Sequence, residues 1–138
     1  MSFKEKIAWI SLVTTVLVWG GFYGFMLATY GRYPGAVYFT GFFAAVTAQA
    51  VLAAGAAIVT ALLAPRDATA AADERDKAIA RRAYTIAYPI LLVLLLGVVA
   101  SIHLGANPVQ MAYAIIAAIV VAEIVHYGAQ IAGYRRGY

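Results

Sequence analysis

The chain has 138 residues, 64% of them hydrophobic and 12% charged, with a net charge of +4. Soluble domains run at roughly half apolar and a quarter charged. A globule of this size still exposes about 30% of its unfolded surface, too much to hide so many apolar side chains, so lipid must be the solvent for most of the chain. The absence of cysteine excludes disulfides, thiolate metal sites and cysteine nucleophiles.

Four apolar runs reach the ~20 residues that a membrane-spanning helix needs. The first, residues 7–29, follows Lys4 and Lys6. It is longer than the ~7–15 residues of a signal peptide core and lacks a small-residue cleavage pattern, so it reads as a retained signal-anchor helix. Gly20 and Gly24 lie in the small-xxx-small spacing that lets helix backbones touch. The connection YGRYPGA (30–36) is punctuated by glycine and proline.

The second run, residues 37–64, is rich in alanine and glycine and is expected to be the most enclosed helix. Gln49 near its middle needs an amide or hydroxyl partner, or its own symmetry mate across a dimer. The charged stretch 65–82 follows. Its Ala, Glu, Lys and Arg favour helix, Asp67 or Thr69 can cap the start, and Asp73 and Lys77 stand four apart, ready to pair. The stretch is either a solvated extension of the third span or a docking site for a cytoplasmic partner.

The third run, 83–104, holds Pro89 about one turn in, where a kink beside Tyr88 would open space. After GANP (105–108) comes the fourth, 109–133. Nine of the ten bases (Lys4, Lys6, Arg66, Arg75, Lys77, Arg81, Arg82, Arg135 and Arg136) fall on one side of a four-span topology, and only Arg32 falls on the other. The positive-inside rule therefore places both termini and the 65–82 connection in the cytoplasm. Topology accounts for the positive charge, and no nucleic-acid partner is expected.

The end of the fourth run, AEIVHYGAQIAGYRR (122–136), admits polar groups into an apolar helix. Glu123, His126, Tyr127 and Gln130 are spaced by three and four and share one broad face. A charge near the bilayer centre costs about 2.5–3.5 kcal/mol, so this face should turn inward and take partners. Glu123 is expected ~6 Å to the cytoplasmic side of the midplane at 1.5 Å per residue, level with Tyr88, Thr14, Thr15 and Gly55. Tyr88 is the best-placed donor, and His126 can donate to Glu123 three residues away.

Three readings of the cluster stay open. Glu123 can simply bond Tyr88 or Thr15 and lock the bundle. It can line a small-molecule or lipid-headgroup pocket open to the inner leaflet. Or it can exchange a proton for a cationic substrate in a small proton-coupled transporter. Small multidrug transporters have this size and span count but carry their essential glutamate on the first helix, where this chain has only Glu5 at the start. Glu123 and His126 also match the Glu-x-x-His spacing of di-iron bundles, yet such sites need further carboxylates from other helices. His103 and His126 lie ~20 Å apart along the bundle, too far to share one haem iron. No metal or cofactor is expected, and no second polar constellation faces the first as an enzyme would require.

DERDKAIARRA (73–83), EIVHYGAQIAGYRRG (123–137) and MSFKEKIAWI (1–10) together resemble a family of small four-span bacterial membrane proteins. There an Asp-Glu-Arg-Asp/Glu stretch precedes span three, and Glu-x-x-x-Tyr-x-x-Gln-Ile-x-x-Tyr-Arg-Arg-Gly ends the chain. The matching positions are Asp73, Glu74, Arg75, Asp76, Glu123, Tyr127, Gln130, Tyr134, Arg135 and Arg136. The resemblance implies four spans in a bacterial membrane and hints at a partner for the 73–76 stretch; it carries no activity.

The expectation is thus an all-α protein, four transmembrane helices in one antiparallel bundle in the bacterial inner membrane, with membrane lipids as partners and forming a homodimer or larger assembly. Its role is non-catalytic: binding a small molecule or lipid, or regulation, through Glu123, His126, Tyr127, Gln130, Tyr88, Thr15 and Gln49.

Overall fold

The computed structural model describes residues 2–66 and 73–136. Among them run four long helices, α1 (Phe3–Ala28), α2 (Gly35–Leu63), α3 (Glu74–Ala100) and α4 (Pro108–Arg136), with a short 3-10 segment, Ser101–Leu104, ahead of α4. No strand occurs among the described residues. Each helix is long and apolar enough to cross a membrane, so the chain is all-α, as its composition requires. Large apolar side chains point outward on every helix, Leu17, Val51, Leu62 and Leu96 among them, which suits hydrocarbon as the surrounding solvent. The chain divides into two compact units, Met1–Ala71 and Ala72–Tyr138. Each is a helical hairpin.

In the first hairpin, Ser2 caps α1 by accepting the Glu5 N–H at 3.1 Å. The turn to α2 uses Gly31 at φ +76°, a left-handed conformation that glycine adopts without a Cβ clash, and Pro34 stands at the N-cap of α2. Tyr38 Oη donates to the Thr29 carbonyl across the turn. Inside the hairpin, Trp19, Phe22 and Phe42 interlock, with ring centroids 5.9–6.4 Å apart. Phe22 covers Gly41, whose missing side chain leaves 3.5 Å to the ring.

Two expectations are corrected here. The glycines that admit close approach are not Gly20 and Gly24, which have nothing nearby for a side chain to meet. Nor is the alanine-rich second helix enclosed, since Ala45 alone of its residues is buried. Small side chains permit contact without compelling it.

The second hairpin opens with α3, which begins nine residues before the expected span. Asp73 caps it: Asp73 Oδ1 accepts the Asp76 N–H at 2.7 Å, and Asp76 Oδ2 accepts the Asp73 N–H at 3.4 Å, closing a capping box. The candidate caps Asp67 and Thr69 lie outside the described residues. The helix runs unbroken from Glu74 through Lys77, Arg81 and Arg82 into the apolar stretch, so residues 74–82 are a helical extension of the third span. Pro89 falls mid-helix rather than one turn in. A loss of one backbone hydrogen bond there is tolerated where neighbouring groups accommodate the freed carbonyl. At the far end Gly105, at φ +85°, reverses the chain, and Asn107 and Gln110 cap α4 reciprocally at 2.9 and 3.0 Å ahead of Pro108.

The buried face of α3 is Ile79, Ala83 and Ala87, spaced by four; that of α4 includes Ala118, Ala122 and His126 at the same spacing. Lipid offers apolar helices no gain in solvent entropy when they meet, so close approach through small residues supplies the attraction as dispersion contact. Ala83 is 0% exposed. Gly133 approaches so closely that an added Cβ would lie 2.9 Å from Ile79 Cγ2. Replacing Ala83 with leucine should therefore lower the unfolding free energy in detergent by about 1–3 kcal/mol through overpacking. Val93→Leu, on an outward position, should leave it unchanged; equal effects in thermal unfolding would refute the seam.

Candidate functional site

The polar residues singled out in the sequence fall in both hairpins. In the first hairpin, the Gln49 side-chain amide donates to Thr15 Oγ1 at 3.2 Å and to Thr14 Oγ1 at 3.3 Å. Gln49 thus finds hydroxyl partners in its own chain. Thr15 is buried, and its role is to hold α1 against α2.

In the second hairpin, His126 is buried and lies against Tyr84, with ring centroids 4.2 Å apart. The Tyr127 ring meets His126 edge-on at 5.4 Å. Gln130 bonds His126 Nε2 at 2.9 Å, one turn along α4. With the glutamine N–H donating, the ring proton resides on Nδ1, and Nδ1 is buried with no hydrogen-bond partner among the described residues. The expected donation from His126 to Glu123 is replaced by this pairing with Gln130. Tyr84 is the member of the cluster that the sequence did not single out.

Glu123 does not turn into the seam with α3. It is exposed, and no hydrogen bond or ion pair reaches it among the described residues. Tyr88, its expected donor, is 60% exposed. The reason lies in helix geometry. Ala118 and Ala122 are the residues small enough to let α4 close on α3, and they fix its rotation. Glu123 follows Ala122 by one residue, a turn of about 100°, and shares an outward stripe with Ile119, which is 47% exposed. A broad face spanning Glu123 to Gln130 is thus divided: His126 faces the seam and Glu123 looks away from it.

At the charged end of this hairpin the Asp73–Asp76 stretch is engaged residue by residue. Besides the capping box, Glu74 pairs with Lys77 at 2.7 Å, in place of the expected Asp73–Lys77 pair. Arg75 Nη2 donates to the Tyr134 carbonyl at 3.2 Å, and the Tyr134 hydroxyl donates to Asp76 Oδ1 at 3.2 Å. The two bonds clasp the start of α3 to the end of α4. All four residues thereby have work inside the hairpin. The spacing of Asp76 and Tyr134 from their helix ends, two residues each, is the sequence signal that could have found the pairing.

Among the described residues no group of three or more His, Asp or Glu side chains gathers as a metal site would require. Comparison with family models, curated proteins and solved structures returns no match.

The Tyr134–Asp76 bond joins a hydroxyl to a carboxylate at a partly exposed site, where such a contact contributes on the order of 1 kcal/mol. A double-mutant cycle of Tyr134→Phe and Asp76→Asn in thermal unfolding should give a coupling of that size. Strict additivity would show that the clasp contributes nothing.

Proposed function

We propose that the protein is a non-catalytic, membrane-embedded binding protein that acts as a homo-oligomer, meeting a second copy of itself through the α4 stripe that carries Glu123. The observation behind this reading is the position of that acid. Glu123 stands one residue past the middle of the 29-residue helix Pro108–Arg136, facing out of its own hairpin and with no hydrogen bond or ion pair among the described residues. Hydrocarbon offers a carboxyl group no hydrogen-bond partner, and an ionisable side chain at such a depth is kept where protein or water covers it.

A second copy related by two-fold symmetry presents the same stripe to the first. Ile119 then supplies apolar contact, and Tyr127, one turn along from Glu123, continues the stripe. The assembly belongs to the bacterial inner membrane with both termini cytoplasmic. Support for this comes from the nine bases gathered on one side of the spans and from the resemblance to small four-span bacterial membrane proteins.

Single-molecule photobleaching in liposomes tests the reading. Wild type should give two or more steps per particle, Glu123→Gln should keep them because an amide can still pair, and Glu123→Leu should shift the population toward single steps by roughly tenfold in the association constant, the change that about 1.4 kcal/mol produces. One-step bleaching of the wild type would refute it. A pH-gradient-driven cation flux in proteoliposomes that Glu123→Gln abolishes would instead identify a proton-coupled carrier.

A further inference from the structure

On the surface of the second hairpin, at its charged end, α3 and α4 enclose a groove of about 200 Å³. Its floor is apolar, formed by Ile79, Ile86, Ala129 and Gly133, and two cations, Arg82 and Arg136, line it from opposite helices. No carboxylate is among the described residues that line it.

The two arginines converge for a geometric reason. Long side chains on a helix lie over the turn N-terminal to their own Cα. Because α3 and α4 run antiparallel, the turns N-terminal to Arg82 and Arg136, at Ala78 and Ala132, stand beside the Ile79–Gly133 contact and line the same groove. Two guanidinium forks therefore serve one mouth. Arg82 also marks the last charge before the apolar stretch of α3, which sets the mouth at headgroup depth and the floor at the depth of the acyl chains.

We propose that this groove binds one anionic phospholipid, its phosphate held between Arg82 and Arg136 and the first part of an acyl chain lying along Ile86 and Ala129. Charge complementarity selects the occupant. A guanidinium matches phosphate oxygens with paired N–H donors, and the apolar floor selects a phosphate that carries a chain over a free one. The site shares no residue with the Glu123 stripe, so either proposal can fail while the other holds.

Native mass spectrometry of the purified full chain, with phosphatidylglycerol and phosphatidylcholine offered together, tests this directly. Wild type should retain phosphatidylglycerol preferentially, and excess inorganic phosphate should not displace it. Arg82→Gln with Arg136→Gln should lower phosphatidylglycerol retention by roughly tenfold or more, as expected when two headgroup-attracting cations are lost. Lys77→Gln with Arg81→Gln removes equal charge outside the groove and should change it less than about twofold, a margin well under the effect of one such cation. Ala129→Leu, which fills the floor without altering charge, should also reduce retention while circular dichroism confirms the helices in every variant. Equal losses in the two charge-removing variants would overturn the proposal, as would retention untouched by Ala129→Leu or displacement of the lipid by phosphate alone.

Discussion

Apolar helices gain almost nothing by leaving lipid for one another, so each helix contact in this chain depends on backbones coming unusually close or on polar groups finding partners. In the second hairpin the first condition rules. Ile79, Ala83 and Ala87 meet a face containing Ala118, Ala122 and Gly133, and the closeness at Gly133 leaves no room for a methyl group. That seam sets the rotation of α4, and with it which polar side chains are enclosed and which look outward. In the first hairpin aromatic packing around Gly41 and the Gln49 bonds to Thr14 and Thr15 perform the corresponding task.

Charge is sorted by the same architecture. The acids preceding the third span act locally, capping a helix, pairing with a lysine and accepting from Tyr134. Bases such as Arg82 and Arg136 stand at the edge of the apolar stretch, where anionic headgroups attract them. A net positive charge in so apolar a chain is therefore a property of its ends, and the arginine-lined groove is its most concentrated expression.

Much of this architecture was legible in the sequence, because hydropathy alone decides how many helices lipid will accept. The four spans, the two tight connections and the helical extension of the third span follow from run length, Gly-Pro punctuation and Ala/Glu/Lys/Arg content. The partners of the polar residues were not legible. Helical spacing placed Glu123, His126, Tyr127 and Gln130 on one face, yet that face is wider than a seam built from alanines, so rotation by less than a third of a turn separated Glu123 from His126. The pairing of Gln49 with Thr15 needed the register of two helices, which composition does not encode. Gly20, Gly24 and the alanines of α2 show the converse: small residues mark where contact is permitted, and only the neighbouring helix determines whether it occurs.

The central claim is that Glu123 faces out of its own hairpin toward a second copy. Because the chain contains no cysteine, a single one placed at Ile119, one turn from Glu123 on the same stripe, reports that contact without background. Oxidation in native membranes should convert Ile119→Cys to a disulfide-linked dimer while Val93→Cys, exposed on α3, stays monomeric. Absence of cross-linking at position 119, or equal cross-linking at both positions, would contradict the account.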